Sequence, residues 1–435
     1  MRMNSIQRAK KVMIRRRTVV RSIVLTLIFY NLLKYSFIFH VQSDEIKLKS
    51  RKNITVQWLI DESQTKSEDF SGEYQEFDSN QLTTTTNKIR DYQFEDIYFI
   101  LTTNTLRIRY SINFLKFWLK STKINCILVF EETDFARKPS VKSFLQNNEI
   151  HCELLLSKIQ RYEQRYFYLP SIALDHLRKQ KKNFEWLAMC DDDTIWFIEN
   201  LFVSINRFNS SSLIYLGNIS DNNSTIQRHG KYYAYGGAGI LLSKSLVSLL
   251  ANYSDVCYKK YRVSFGGDEI LGKCIRRTLK VNLTFDEHFH QIDHAGDLYG
   301  LLQSGYNHLI SLHHMFTLWE PFPEEHLAHE HEILENIYQS YRVFEQDFLK
   351  RYFRINYRTN QTLLLTNGYS FTIFDEILSE KQLNQVELTW SGSRLYQKPM
   401  RKRHSNKIDF FFKSIDHLDF YQCRKQRLSI MIHKR

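Results

Sequence analysis

Residues 191–193 set three aspartates side by side in "WLAMCDDDTIWF" (186–197), between two apolar runs. Like charges repel, and a carboxylate near a core is costly unless a cation sits with it. Such a cluster fits a hard divalent cation, Mn²⁺ or Mg²⁺, held by the first and third carboxylates of D-x-D. A cation there could bridge the two phosphates of a nucleotide-sugar and stabilise the charge of the departing diphosphate. A solvated loop that caps the next element is the bland alternative. Metal sites of nuclease or phosphatase type, which use scattered acids, also stay open. An EF-hand is excluded, because the D-x-D-x-D-G spacing and its distal Glu are missing.

The elements that must position these residues alternate along the chain. "DIYFILTT" (96–103), "NCILVFEE" (125–132), "HCELLLS" (151–157) and "EWLAMC" (185–190) read as buried strands. Amphipathic stretches lie between them at 107–121 and 161–180, the second with Pro170 as a kink or break. Alternation of this kind predicts a mostly parallel α/β sheet, and ligands of such sheets bind at the carboxyl ends of strands. The aspartates follow the fourth strand directly. Downstream, "SLIYLG" (212–217) predicts a strand, Ser243 a cap for a helix over 244–251, and 325–352 a long helix. Asn-Gly inside "TLLLTNGYSFTIF" (362–374) predicts a hairpin.

Composition bounds the setting. The chain of 435 residues has a net charge of +13, but residues 1–21 hold +8, residues 398–435 another +8, and 22–397 only −3. The body is not basic, which argues against a nucleic-acid-binding protein. After the basic run comes "SIVLTLIFYNLLKYSFIFHV", residues 22–41, long enough to cross a bilayer, with Lys34 placed to snorkel. This predicts a cytosolic tail (1–21), a signal anchor (22–41), a polar stem (42–92), a catalytic domain (93–395) and a basic C-terminal extension (396–435). Eight Asn stand in N-x-S/T sequons: Asn53, Asn209, Asn218, Asn222, Asn223, Asn252, Asn282 and Asn360. Six Cys without a C-x-x-C pair fit disulfides of a secretory compartment, so a Golgi or ER membrane protein of single-pass type II topology is expected.

The run "DDDTIWFIENL", then "YYAYGGAGILLS", "CYKKYRVSFGGDEILGKCI", "FHQIDHAGDLYGLL" and "SLHHMFTLWEPFP" resembles the Fringe-like glycosyltransferases of family 31. The similarity is to the plant and fungal Fringe-related branch and covers about 96–390. It implies a GT-A fold, a UDP-sugar donor, a glycan or glycoprotein acceptor and inverting transfer in β1,3 linkage. Transfer of a hexose or N-acetylhexosamine fits, an N-acetylgalactosaminide β1,3-galactosyltransferase being one specific form. A non-catalytic Fringe-like protein that binds glycans or chaperones another enzyme is the alternative, though such a protein should have lost the D-x-D, the base or the histidine.

The resemblance also implies roles. Asp191 and Asp193 match the D-x-D, Asp193 as the preferred direct ligand and Asp192 as a group behind it or on the donor. His313 of "SLHH" matches the metal-binding histidine, with His314 beside it as the other choice. Imidazole suits Mn²⁺ better than Mg²⁺. Asp268 matches the catalytic base, and Glu269 lies one residue off that match. Cys257 and Cys274 match a disulfide around it, while Cys126 and Cys152 each start a strand and form a weaker second pair. Gly236, Gly237 and Gly239 of "YGGAG" would let the backbone pass close to a sugar, or simply make a tight turn. Trp319 could stack on a sugar or sit in the core. Phe289, His290 and Gln291 match the family's F-H-Q without a chemical role.

Overall fold

A computed structural model describes residues 90–119, 124–304, 306, 308–323 and 330–411, with short backbone segments at 54–57, 75–76 and between 415 and 434. The chain divides into two units, residues 74–411 and a second made of 1–73 with 412–435. In the second, Ile54–Gln57 pairs antiparallel with Met431–Lys434. Phe420–Cys423 pairs antiparallel with both Ile415–Asp416 and Gln426–Leu428. The expected tail, anchor and most of the stem lie outside the described residues. Among the described residues no helix is long and apolar enough to cross a membrane.

The unit 74–411 is built on a seven-stranded sheet. Its order is Leu283–Phe285, Tyr215–Gly217, Ile240–Ser243, Trp186–Met189, Ile97–Thr103, Asn125–Glu131 and Glu153–Ser157. Ile240–Ser243 alone runs against its neighbours; all other pairings are parallel. Ile97–Thr103 is buried at every position, as its unbroken apolar run requires. Ile97 pairs with Trp186 and Ile100 with Met189, so Thr103 and the aspartates emerge together at the carboxyl ends of two central strands. A mostly parallel α/β architecture is the result.

Helix Tyr162–Lys179 stays one element despite Pro170. Pro removes one backbone bond, but Tyr166, Phe167, Leu169, Ala173 and Leu174 bury into the sheet's core cluster and hold both halves. Ser243 caps the next helix by accepting from Leu246 N, and that helix runs to Tyr261, past the expected 251, because Leu250, Ser254 and Cys257 continue its buried face. Disulfides join Cys257 to Cys274 and Cys126 to Cys152. Cys190 is a buried free thiol, and the side chain of Cys423 lies outside the described residues.

A second sheet pairs Arg351–Asn356, Gln361–Thr366, Ser370–Phe374 and Lys407–Phe411 antiparallel. The Asn-Gly hairpin is present, Thr366 facing Ser370. Two expectations are corrected. Among the described residues, the helix expected over 325–352 spans Glu330–Phe344 and stops short of 352, because Arg351 already begins a strand. The folded unit does not stop at 395, since Lys407–Phe411 closes the second sheet and Met400–Lys402 pairs with Val386–Leu388. Two sequons are also spoken for: buried Asn218 donates to Phe289 O, and buried Asn222 caps helix Asn223–His229.

Candidate active site

The three aspartates leave the sheet in a tight turn in which Thr194 N donates to Asp191 O. Their environments differ. Asp192 is fully buried and accepts from Thr103 Oγ1 and from Arg107 Nε at 2.5 Å. It therefore faces inward and presents no open oxygen to a donor. Asp193 Oδ1 lies 3.0 Å from His313 Nε2 and 3.2 Å from Arg107 Nη2. Asp191 accepts from Tyr162 Oη at 2.9 Å, and its other oxygen lies 3.6 Å from His313 Nε2. Two protein cations, Arg107 and His313, thus stand against three carboxylates.

Burial alone would raise Asp193, but the imidazolium of His313, its hydrogen bond and Arg107 hold it well below the usual carboxylate range. Burial would depress His313, yet Asp193, with Asp191 and Asp293 behind it, lifts it to about 9. Asp192 is raised, burial outweighing Arg107.

His313 and His314 follow strand Ser311–Leu312, which pairs with Ile195–Trp196 just beyond the aspartates. That pairing brings residues more than a hundred positions apart to one point. Trp319 Nε1 donates to His313 O at 2.8 Å, and the indole is only 1% exposed. It fixes the histidine from behind, and with the indole buried the core reading of Trp319 fits, not the sugar-stacking one. Ligand-type atoms of Asp193, His313 and His314 lie within 4.8 Å of one another. His313 Nδ1 is buried without a partner. His314 Nδ1 lies 3.3 Å from Asp293 Oδ1. One carboxylate and two imidazoles form a donor set that fits a divalent transition ion.

Segment 235–239 joins this cluster to the base candidate. Gly236 N donates to Asp268 Oδ2 at 2.9 Å, while Thr194 Oγ1 donates to Gly237 O at 2.8 Å. A Cβ on Gly237 would strike the His313 ring, and one on Gly239, at φ +94°, would strike Trp196. A Cβ on Gly236 would meet Tyr166 Oη. The glycines make room for the protein's own rings, as the tight-turn reading of this segment allows.

Asp268 opens helix Gly267–Lys273, and its Oδ1 accepts from Glu269 N at 2.8 Å. Burial, and more weakly the charges of Asp191 and Glu269, push it up to about 6 against the Gly236 N–H. Glu269 turns elsewhere, accepting from Phe265 N and pairing with Lys273. Of the F-H-Q residues, Phe289 packs edge-on against Trp196, His290 Nδ1 meets Asp221, and Gln291 Oε1 accepts from Ala238 N; all three brace the segments around the site. Arg107, Thr103, Tyr162 and Tyr166 escape sequence reasoning. Tyr162 and Tyr166 had a signal in their i, i+4 spacing, which places both on one face of helix Tyr162–Lys179.

Comparisons with known proteins now apply. The profile of the Fringe-like family matches residues 102–317. A second profile, described as a protein of unknown function (DUF604), matches 226–431. Among solved structures, the glycosyltransferase GlyE of Streptococcus pneumoniae TIGR4 is 14% identical with a TM-score of 0.33, over 55% of this chain and 59% of that one. The chain thus spans less than two thirds of that protein's length. A glycosyltransferase involved in glycosylation of the major capsid of PBCV-1 is 9% identical with a TM-score of 0.29, over 50% and 93%. An active-site mutant of LgtC is 11% identical with a TM-score of 0.31, over 47% and 76%. No curated protein matches the chain. With its ordered motifs gathered into one site and the Fringe-like profile spanning the aspartates, Asp268 and the histidines, the chain belongs to the Fringe-like glycosyltransferases.

Proposed function

We propose that this glycosyltransferase is a metal-dependent, inverting enzyme of GT-A type that moves a hexose or N-acetylhexosamine from a UDP-sugar to a glycan acceptor in β1,3 linkage. The observation that carries the reading is the bridge 235–239, which ties Asp268 to the cluster Asp191, Asp193, His313 and His314. Asp193 and His313 would hold the ion, with Asp191 and His314 beside it. When bound, Mn²⁺ would supply the positive charge that a departing diphosphate needs. Asp268, at about 6, is ionised at neutral pH and still basic enough to take a proton from an acceptor hydroxyl. A base set apart from the metal ligands serves a single displacement, with attack from the face opposite the leaving group. Arg107 and Trp319 hold the metal ligands in place, and Gly236 aims the base.

The sequence supports a type II arrangement in which 22–41 anchors the chain in a Golgi or ER membrane and the site faces the lumen. The test is UDP release by the detergent-solubilised full chain across a panel of UDP-sugars, with Mn²⁺ or with EDTA. Release from one donor, lost with EDTA and in Asp193→Ala, is expected. A folded chain that releases UDP from none would overturn the reading.

A further inference from the structure

The stretch of chain that carries Asp268 differs in charge from the rest of the body. Residues 226–280 hold ten Lys/Arg against three acids, Asp255, Asp268 and Glu269, whereas 22–397 as a whole is at −3. Two of those acids are engaged: Asp255 accepts from Tyr168, and Glu269 pairs with Lys273. Lys244 turns to Glu185. Among the described residues no carboxylate pairs with Lys231, Arg262 or Arg276, and all three are exposed or half-buried.

Aromatic and apolar side chains are interleaved with it. Phe265 is 75% exposed and Val263 94%, in the turn that leads directly into Gly266-Gly267-Asp268. Glu269, beside the base, holds the Phe265 N–H at 2.7 Å, so the turn is tied to the catalytic helix. Phe265 meets the His229 ring at 4.3 Å, and the Arg276 guanidinium lies 4.0 Å above the half-exposed Tyr232 ring. These contacts join three separate segments into one patch on the flank of Asp268. Tyr233, next to Tyr232, packs against Gly272 of the helix that carries the base.

We infer that this patch is the acceptor platform, and that it selects an anionic saccharide, one bearing carboxylate or sulfate groups near the hydroxyl to be glycosylated. The inference rests on the reading of Asp268 as the acceptor's base. Flat exposed rings with cations near them in the chain suit a ring-shaped ligand that carries negative charge. Lys231, Arg262 and Arg276 supply the cations; Tyr232, Val263 and Phe265 supply the apolar contact. Charge complementarity of this sort sets encounter and partner choice more than it sets raw affinity.

Calorimetric binding of the full chain to matched oligosaccharides tests this: one neutral, one carrying uronic acids, one sulfated, and an acidic peptide as a fourth ligand. At low salt the anionic saccharides should bind about tenfold tighter than the neutral one. The advantage should shrink as the Debye length falls from about 10 Å at 0.1 M to about 3 Å at 1 M salt. Which anionic saccharide binds tighter tells carboxylate from sulfate recognition. Arg262→Glu and Lys231→Glu, checked for folding by their melting temperatures, should each erase most of that advantage. Equal affinity for neutral and anionic saccharides, tighter binding of the acidic peptide, or variants that keep the preference would overturn the inference. UDP release without acceptor, measured in parallel, reports on the donor reaction alone, so failure of the transferase reading shows there and failure of the platform shows in the binding series.

Discussion

Replacing Asp268 with Asn should stabilise the fold while abolishing transfer. Burial lifts this carboxyl from an aspartate's ordinary 3.8 to about 6, with Asp191 and Glu269 adding to it and the Gly236 N–H opposing. At about 1.4 kcal/mol per tenfold change in proton affinity, keeping it ionised at neutral pH costs about 3 kcal/mol. The native state binds this proton more tightly than the unfolded chain does. The protonated group's contribution is therefore complete below 3.8 and is lost as pH rises through about 6. Asn keeps one acceptor oxygen for two backbone N–H groups, and one lost hydrogen bond offsets about 1 kcal/mol. The net gain at pH 7 is then about 1–2 kcal/mol. Denaturant titrations of both proteins across pH supply the assay, since their difference isolates this one group. The wild type should lose ground to the variant between pH 3.8 and about 6, then run parallel to it. Wild-type transfer should in turn fall as pH drops below about 6. A variant that is less stable at neutral pH, or one that still transfers sugar, would refute the reasoning.

Other perturbations probe separate parts of the account. Arg107→Leu leaves Asp192 buried and Asp193 short of a cation, and should lower stability by about 3 kcal/mol in urea titration; a loss below about 1 kcal/mol would mean that Asp192 takes up a proton instead. Trp319→Phe keeps the packing but removes the hydrogen bond to His313 O, and should weaken Mn²⁺ binding about tenfold by calorimetry. Gly237→Ala drives a methyl into the His313 ring and should abolish Mn²⁺ binding with the fold retained, as read by circular dichroism. Loss of the Cys257–Cys274 bridge, which spans a separation of 17 residues, should cost about 3 kcal/mol when both are changed to Ser.

Much of the fold was legible because the central strands are unbroken apolar runs, and a strand buried on both faces has to look that way. The C-terminal strand Lys407–Phe411 was not. Its Lys407 is almost fully buried, paired with Glu387 at 2.8 Å and Asp409 at 3.0 Å, while Arg401 reaches the other oxygen of Glu387. A basic stretch reads as solvated until its buried acidic partner, twenty residues away in the chain, is brought beside it. The aspartates, the base and the histidines stood out by type and order. What surrounds them did not: Arg107 is one arginine among many in sequence, and only the register of Ile97–Thr103 against Trp186–Met189 puts it over Asp192. The neighbours of the glycines at 236–239 are not legible either, since nothing local says that His313 and Trp196 fill the space they leave.

The most direct test of the central claim is calorimetric titration of UDP into the full chain, with Mn²⁺ and with EDTA, for the wild type and for Asp193→Ala and His313→Ala. The account predicts binding that needs Mn²⁺ and is lost in both variants. Binding of UDP that persists in EDTA, or no binding by a folded wild type in Mn²⁺, would contradict it.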